Sequence, residues 1–310
     1  EEAKASVQLH CGEFSYNKVP FRELRMKATW EGGQLNVPEL ILTRAEGNLS
    51  AVLDWDRATD LCQFMVDSTV NLDEFEPIFG EHGKNAFRTF TFRKAPVITL
   101  KGSRILKDPK STKASGSLDL IDFTGNGVLV KSFRCKLDIS GPLIRFNKVE
   151  CRKNEGKMSG DFTLDTETGD LVMKAVSDIY PVDVAAIIGP KTKASIEPYH
   201  FKTAPHILWN GVYNLKNSGL NDLRIDVTCA KFNWWKLNMD KVKARVWVGP
   251  KSIEISRLTS VFHQGSMKAE VLVDVTGKDS KVGFSVDLDH VDFMTLTEDL
   301  FGYKKVEGKL

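Results

Sequence analysis

One ten-residue stretch recurs three times in this chain at a fixed spacing. GNLSAVLDWD opens at Gly47, GKMSGDFTLD at Gly156 and GSMKAEVLVD at Gly265, so each copy starts 109 after the one before, without a gap. A fixed period makes the chain a tandem array of one structural unit. Coils of a parallel β-helix and blades of a propeller repeat about every 20 to 50 residues. A period of 109 is too long for either.

The unit is read most easily from its middle copy. KAPVITLKG (94–102) returns as TAPHILWNG (203–211), with Ala-Pro at the start and Gly at the end of both. Proline is tolerated at the start of a strand, where a missing N–H costs least. Phe14, Phe123 and Phe232 then hold one position in three copies. The next strand is the clearest. Leu24, Met26, Ala28 and Trp30 alternate with Arg25, Lys27 and Thr29. The same places hold Phe133, Cys135, Leu137 and Ile139, then Val242, Ala244, Val246 and Val248. Ile225 and Val227 alternate in the same way, as do Val282, Phe284, Val286 and Leu288. A period of two is a strand with one dry face and one wet face.

In the following strand the apolar spacing slips from two to three in every copy. The residues are Leu35, Val37 and Leu40; Ile144, Phe146 and Val149; Ile253, Ile255 and Leu258. The slip predicts a β-bulge and a bent sheet. Each copy ends in a helix-like connector: Asp73–Phe79, Asp183–Ile188 and Asp292–Phe301, with Asp as N-cap and a following Gly as the stop.

The expected fold is therefore mainly β. Tandem antiparallel sheet repeats with a period of 109 curl into a hydrophobic groove, each closed by a short helix. A partial repeat one spans 1–80, repeat two 81–189 and repeat three 190–302, and 303–310 begins a further unit. The chain opens EEAKAS and stops at VEGKL, which reads as a piece of a longer protein.

A sheet with one apolar face must cover it. One short helix covers only about a third of a six-stranded face, which spans roughly 29 Å by 33 Å. Either the sheet curls around a trough or it packs as a closed sandwich with a filled core. The dry positions drift in size between copies: Leu24, Phe133 and Val242 at one, Met26, Cys135 and Ala244 at another. A packed core resists such changes, whereas a trough filled with fluid chains tolerates them. The candidate lining residues are Leu24, Met26, Phe133, Leu137, Ile225, Val227, Val242, Val246, Val282, Phe284 and Val286.

Little in the chain competes with that reading. A net charge of +2 gives no call for nucleic acid. No apolar run approaches the roughly 18 residues of a membrane-spanning helix. The five cysteines contain no CxxC pair and read as small core residues. His10, His82, His200, His206, His263 and His290 lack ligand spacing, so no metal or cofactor is expected. GDFTLDTETGD (160–170) departs from the calcium-loop spacing and reads as a hairpin turn. Without a nucleophile or phosphate motif, no enzyme is expected. Trp234 and Trp235 fit either an aromatic rim at a lipid interface or packing at a strand end.

The stretches GGQLNVPELILTRAEGNLSAVLDWD, GPLIRFNKVECRKNEGKMSGDFTLD and KSIEISRLTSVFHQGSMKAEVLVD resemble the AsmA-like and TamB-like proteins of bacterial envelopes. The resemblance covers nearly the whole chain and rests on pattern rather than on fixed residues. It implies repeating β-groove units with a hydrophobic interior, similar to bridge-like lipid transfer proteins. It further implies a periplasmic protein anchored in the inner membrane outside this segment. Its implied partners are phospholipid acyl chains and outer-membrane assembly proteins. The cysteines and the missing anchor helix depart from the family pattern. A structural or assembly module with a closed β core is the alternative.

Overall fold

The computed structural model describes residues 4–71, 75, 89–234, 236–277 and 280–302. The protein is mainly β, with strands paired antiparallel. Two compact units divide the chain, Glu1–Lys153 with Thr163–Glu167, and Asn154–Phe162 with Thr168–Leu310.

The first unit begins with β1 (Ala5–Cys11), β2 (Phe14–Tyr16), β3 (Val19–Phe21), β4 (Glu23–Glu31), β5 (Gln34–Thr43), β6 (Asn48–Asp56) and β7 (Leu61–Ser68). It continues with β8 (Phe90–Phe92), β9 (Val97–Ile105), β10 (Asp108–Gly125), β11 (Val128–Ser140) and β12 (Leu143–Arg152). β1 pairs with β4, and from there each strand pairs with the next long one in sequence, through β5, β6, β7, β9, β10 and β11 to β12. β2 and β3 form a separate hairpin, and β8 lies against the end of β10. The hairpin turns use left-handed residues, Gly32 and Gly33 after β4 and Asn126 and Gly127 after β10. Paired positive φ values are the mark of the tight turns that match strand twist.

β13 (Lys157–Asp165) is divided between the two units. The second unit holds β14 (Asp170–Ser177), α1 (Pro181–Ile188), α2 (Pro190–Ile196), β15 (Tyr199–Phe201) and β16 (His206–Asn214). β17 (Asp222–Trp234), β18 (Leu237–Val248), β19 (Ser252–Phe262), β20 (Gly265–Asp274), β21 (Lys281–Asp289) and α3 (Phe293–Phe301) complete it. Pairing again follows sequence, from β14 to β16 and onward to β21. β15 lies against the end of β17. Phe92 faces Phe123 in the first unit and Phe201 faces Phe232 in the second, each residue 109 on from its counterpart.

The slipped apolar spacing is a break in register. β5, β12 and β19 each shift against the strand before them, between Lys27 and Thr29, Arg134 and Lys136, and Lys243 and Arg245. Lys148 and Arg257, 109 apart, carry the positive φ of 53° and 54° at the bulge. In β5 the same place holds Glu39, and the residue before it is Pro38, which has no N–H to pair.

The helices differ in how they start. α3 is capped by Asp292, whose Oδ1 accepts the Met294 N–H at 3.1 Å, and it stops at left-handed Gly302. α1 starts earlier than its Asp183 implies, because Pro181 sits at the first helical position, where its fixed φ suits the helix. Asp183 lies inside the first turn instead. The connector at 73–79 falls outside the described residues apart from Phe75.

Burial is concentrated at one end of each sheet. In the first unit Val19, Phe21, Val70 and Phe75 pack together, with Phe14, Leu42 and Leu49 against them. Arg44 is buried beside them, its guanidinium 5.3 Å from the Phe75 ring and its Nε 2.6 Å from Glu46. In the second unit Cys229, Met239, Val242, Phe262, Met267, Val291 and Leu296 form the cluster. Val70, Ile179 and Val291 each follow the last strand of a run, and each is among the most deeply buried side chains.

Candidate functional site: an open apolar sheet face

Register turns the period-two pattern into continuous rows. In the first unit Leu9, Met26, Leu40, Ala51, Val66, Leu100, Gly116, Leu137 and Phe146 are paired in turn across nine strands. In the second unit Ala175, Trp209, Ile225, Val246, Ile255, Val271 and Phe284 are paired across seven. No member of either row is charged. Directly paired residues share one face of a sheet, so each row lies on one face of its unit; in the first unit Arg104, registered against Cys62, shares that face.

That face is only partly covered. In the first row every residue from Met26 to Phe146 is half-buried and Leu9 is exposed. In the second row Ala175 is buried, the middle is half-buried, and Phe284 is 75% exposed. A fully exposed Phe forgoes about 1.5–3 kcal/mol of burial free energy. A row of such residues left open is informative where a single one is not.

The opposite face carries the charge. Lys27 meets Glu39 at 2.7 Å, Arg134 meets Asp119 at 2.9 Å, and Arg245 meets Asp226 at 2.7 Å. The Lys27 hydrogen bond holds the Glu39 carboxyl below its ordinary range. A shallow depression on this side is lined by Arg257, Lys268, Glu270 and Asp287, with both signs of charge. Among the described residues no three His, Cys, Asp or Glu side chains are placed to hold a metal.

The eleven candidate lining residues fall in both units. Leu24, Met26, Phe133 and Leu137 share the apolar face of the first and are half-buried. Ile225, Val227 and Val246 are half-buried on that of the second, and Val282, Phe284 and Val286 line its exposed last strand. Val242 is different: at 4% exposure it belongs to the packed cluster with Leu296 of α3. His10 and His206 pair with Glu23 and Asp178 at 3.0 and 2.7 Å. Trp234 is exposed at the end of β17, while His82 and Trp235 lie outside the described residues.

No protein family, curated protein or solved structure matches the chain.

Trp55 and Trp209 are the part of the face that sequence reasoning missed, whereas Trp30 falls in the alternation of β4. Trp30 and Trp55 lie on that face with ring centroids 6.1 Å apart, and Trp209 sits in the second row. The indole N–H groups of Trp55 and Trp209 are shielded from solvent and have no acceptor among the described residues. The signal was present, since Leu49, Ala51, Leu53 and Trp55 alternate along β6. Among the described residues no helix is long and apolar enough to cross a membrane.

Proposed function

We propose that this chain is a non-enzymatic segment of repeating β-groove units that binds phospholipid acyl chains along its apolar face. In this reading it passes lipid between the inner and outer membranes, as a periplasmic part of a membrane-anchored envelope protein. The observation that carries the proposal is the partly open apolar row. Nine strands paired in turn contribute to it in the first unit without a charged residue. A water-soluble ligand gains nothing from such a surface, whereas an acyl chain gains about 0.8 kcal/mol for each methylene it buries there.

Repetition at an interval of 109 is supported by detail beyond hydropathy. Asp56, Asp165 and Asp274 are spaced at that interval, and each accepts the N–H two residues on at 2.8–2.9 Å. Fully buried Pro96 and Pro205 are one interval apart. The position of α3 beside the second cluster supports the short helix as the closing element of a unit. Curling is supported by Gly102 and Gly211, where an added β-carbon would overlap the carbonyl oxygens of Lys113 and Asp222 on the next strand.

The test pairs two measurements on Val246→Asp and Phe284→Lys. Both variants should keep their circular dichroism melt while losing co-purified phospholipid by mass spectrometry. A charge placed in a dry core costs several kcal/mol, so a variant that unfolds outright would instead favour a closed structural or assembly module.

A further inference from the structure

The last strand of each run meets its successor in a specific way. In the first unit β7 pairs with β9 so that Phe64 stands opposite Gly102. In the second, β14 pairs with β16 so that Met173 stands opposite Gly211. A bulky side chain thus faces a glycine each time. Phe64 is half-buried there and Met173 is 8% exposed.

Phe284 holds the corresponding place in β21. It is registered against Val271 of β20, as Phe64 is against Leu53 of β6, and Leu53 and Val271 are two intervals of 109 apart. Yet Phe284 is 75% exposed, with Val282 at 58% and Val286 at 44%. Among the described residues β20 is the one strand registered against β21. An exposed edge with an apolar row and no proline is a template for another strand.

β1 does not have the polarity to fill that place. It corresponds to β10 and β17, since Cys11 and Cys229 are two intervals apart. Two antiparallel steps, β14 to β16 and β16 to β17, make such a strand parallel to the last one of the preceding run.

We infer that the open edge of β21 accepts one further antiparallel strand of the β9 and β16 kind, supplied by another copy of the unit. Its glycine registers opposite Phe284. The inference rests on the repeat but not on lipid binding.

The probe is a labelled peptide with the sequence of residues 203–215, TAPHILWNGVYNL, added to the full chain stripped of lipid. Saturable binding is expected, together with slowed amide exchange across Lys281–Asp289. Valine in place of the peptide glycine should weaken binding by at least about tenfold. Phe284→Ala in the chain should do the same and leave the melting temperature unchanged. Equal affinity for the valine peptide, or protection that falls elsewhere than Lys281–Asp289, would overturn the inference. Because lipid is absent from the assay, failure here leaves the lipid reading untouched.

Discussion

Gly156 sits so close to the carbonyl oxygen of Asp178 that a β-carbon would overlap it. Gly47 stands in the same relation to Thr69, and Gly265 to Asp289. This contact explains why the recurring stretch always opens with glycine. The close approach brings in the end of the last strand, whose following apolar residue is then buried: Val70, Ile179 or Val291.

Gly156→Ala should therefore destabilise the protein by about 1–3 kcal/mol, the usual cost of forcing atoms into filled space. Gly283 has open space around its missing side chain. There alanine should be neutral or stabilise by up to about 1 kcal/mol, through the unfolded chain. Urea unfolding of the two variants separates local crowding from a general intolerance of substitution.

The buried residue that follows each last strand should matter more than its isolated position in the sequence implies. Val70→Ala should cost about 2 kcal/mol, because two methyl groups leave a filled site. Val52→Ala, at a position 39% exposed on the opposite face, should stay within about 0.5 kcal/mol. Thermal melts of both variants decide whether stability sits in the end clusters or is spread evenly over the sheets.

Trp209→Phe removes a shielded donor that has no acceptor among the described residues. An unmet buried donor costs about 1–3 kcal/mol, so the lipid-free variant should be at least as stable as the parent. If a lipid ester oxygen accepts that N–H, the same variant should retain less phospholipid. An unchanged lipid content with raised stability would assign Trp209 to packing alone.

Acid should weaken the fold in a defined window. Lys27 lowers the Glu39 carboxyl, the N–H groups of Thr59 and Ala58 lower Asp56, and Thr276 lowers Asp274. A carboxyl whose folded value lies below its unfolded one adds stability above the ordinary carboxylate range. That stability drains away as pH falls through the lowered value. The denaturation midpoint should be flat from neutral pH to about 5 and fall below about 4. Asp274→Asn should make that fall shallower. At about 1 M salt the share from the exposed Lys27 pair should shrink while the backbone-bonded share of Asp56 persists.

All five cysteines are free thiols, and four are buried. Burial pushes the Cys62 and Cys135 thiols up, which removes reactive thiolate at neutral pH. Alkylation of the native protein followed by peptide mass spectrometry should label Cys11 first. Cys62, Cys135, Cys151 and Cys229 should react at comparable rates only after unfolding.

Alternation in β4, β11 and β18 made one face of each sheet legible, because each strand carries its own period. The bulge was legible for the same reason: a slip of one residue moves every later side chain to the other face. β8 and β15 were not, since strands so short leave no room for a period to appear. The role of Gly156 depends on Asp178, which lies beyond the end of β14, and no local pattern reaches that far. Val242 read as a lining residue because hydropathy reports which face a side chain joins, not whether a helix such as α3 lies over it. How open the apolar face stands depends on what packs against it, and periodicity holds no record of that.

Long strands paired with their sequence neighbours also govern how such a chain acquires its structure. Each hairpin can close as soon as its second strand exists, so loop-closure costs stay small and assembly can proceed from the first residues synthesised. The hazard lies at the growing end. Until the next strand arrives, the newest one presents an unpaired edge and a bare apolar row, as β21 does among the described residues. Pauses during synthesis at that point would be the moments of greatest risk of aggregation.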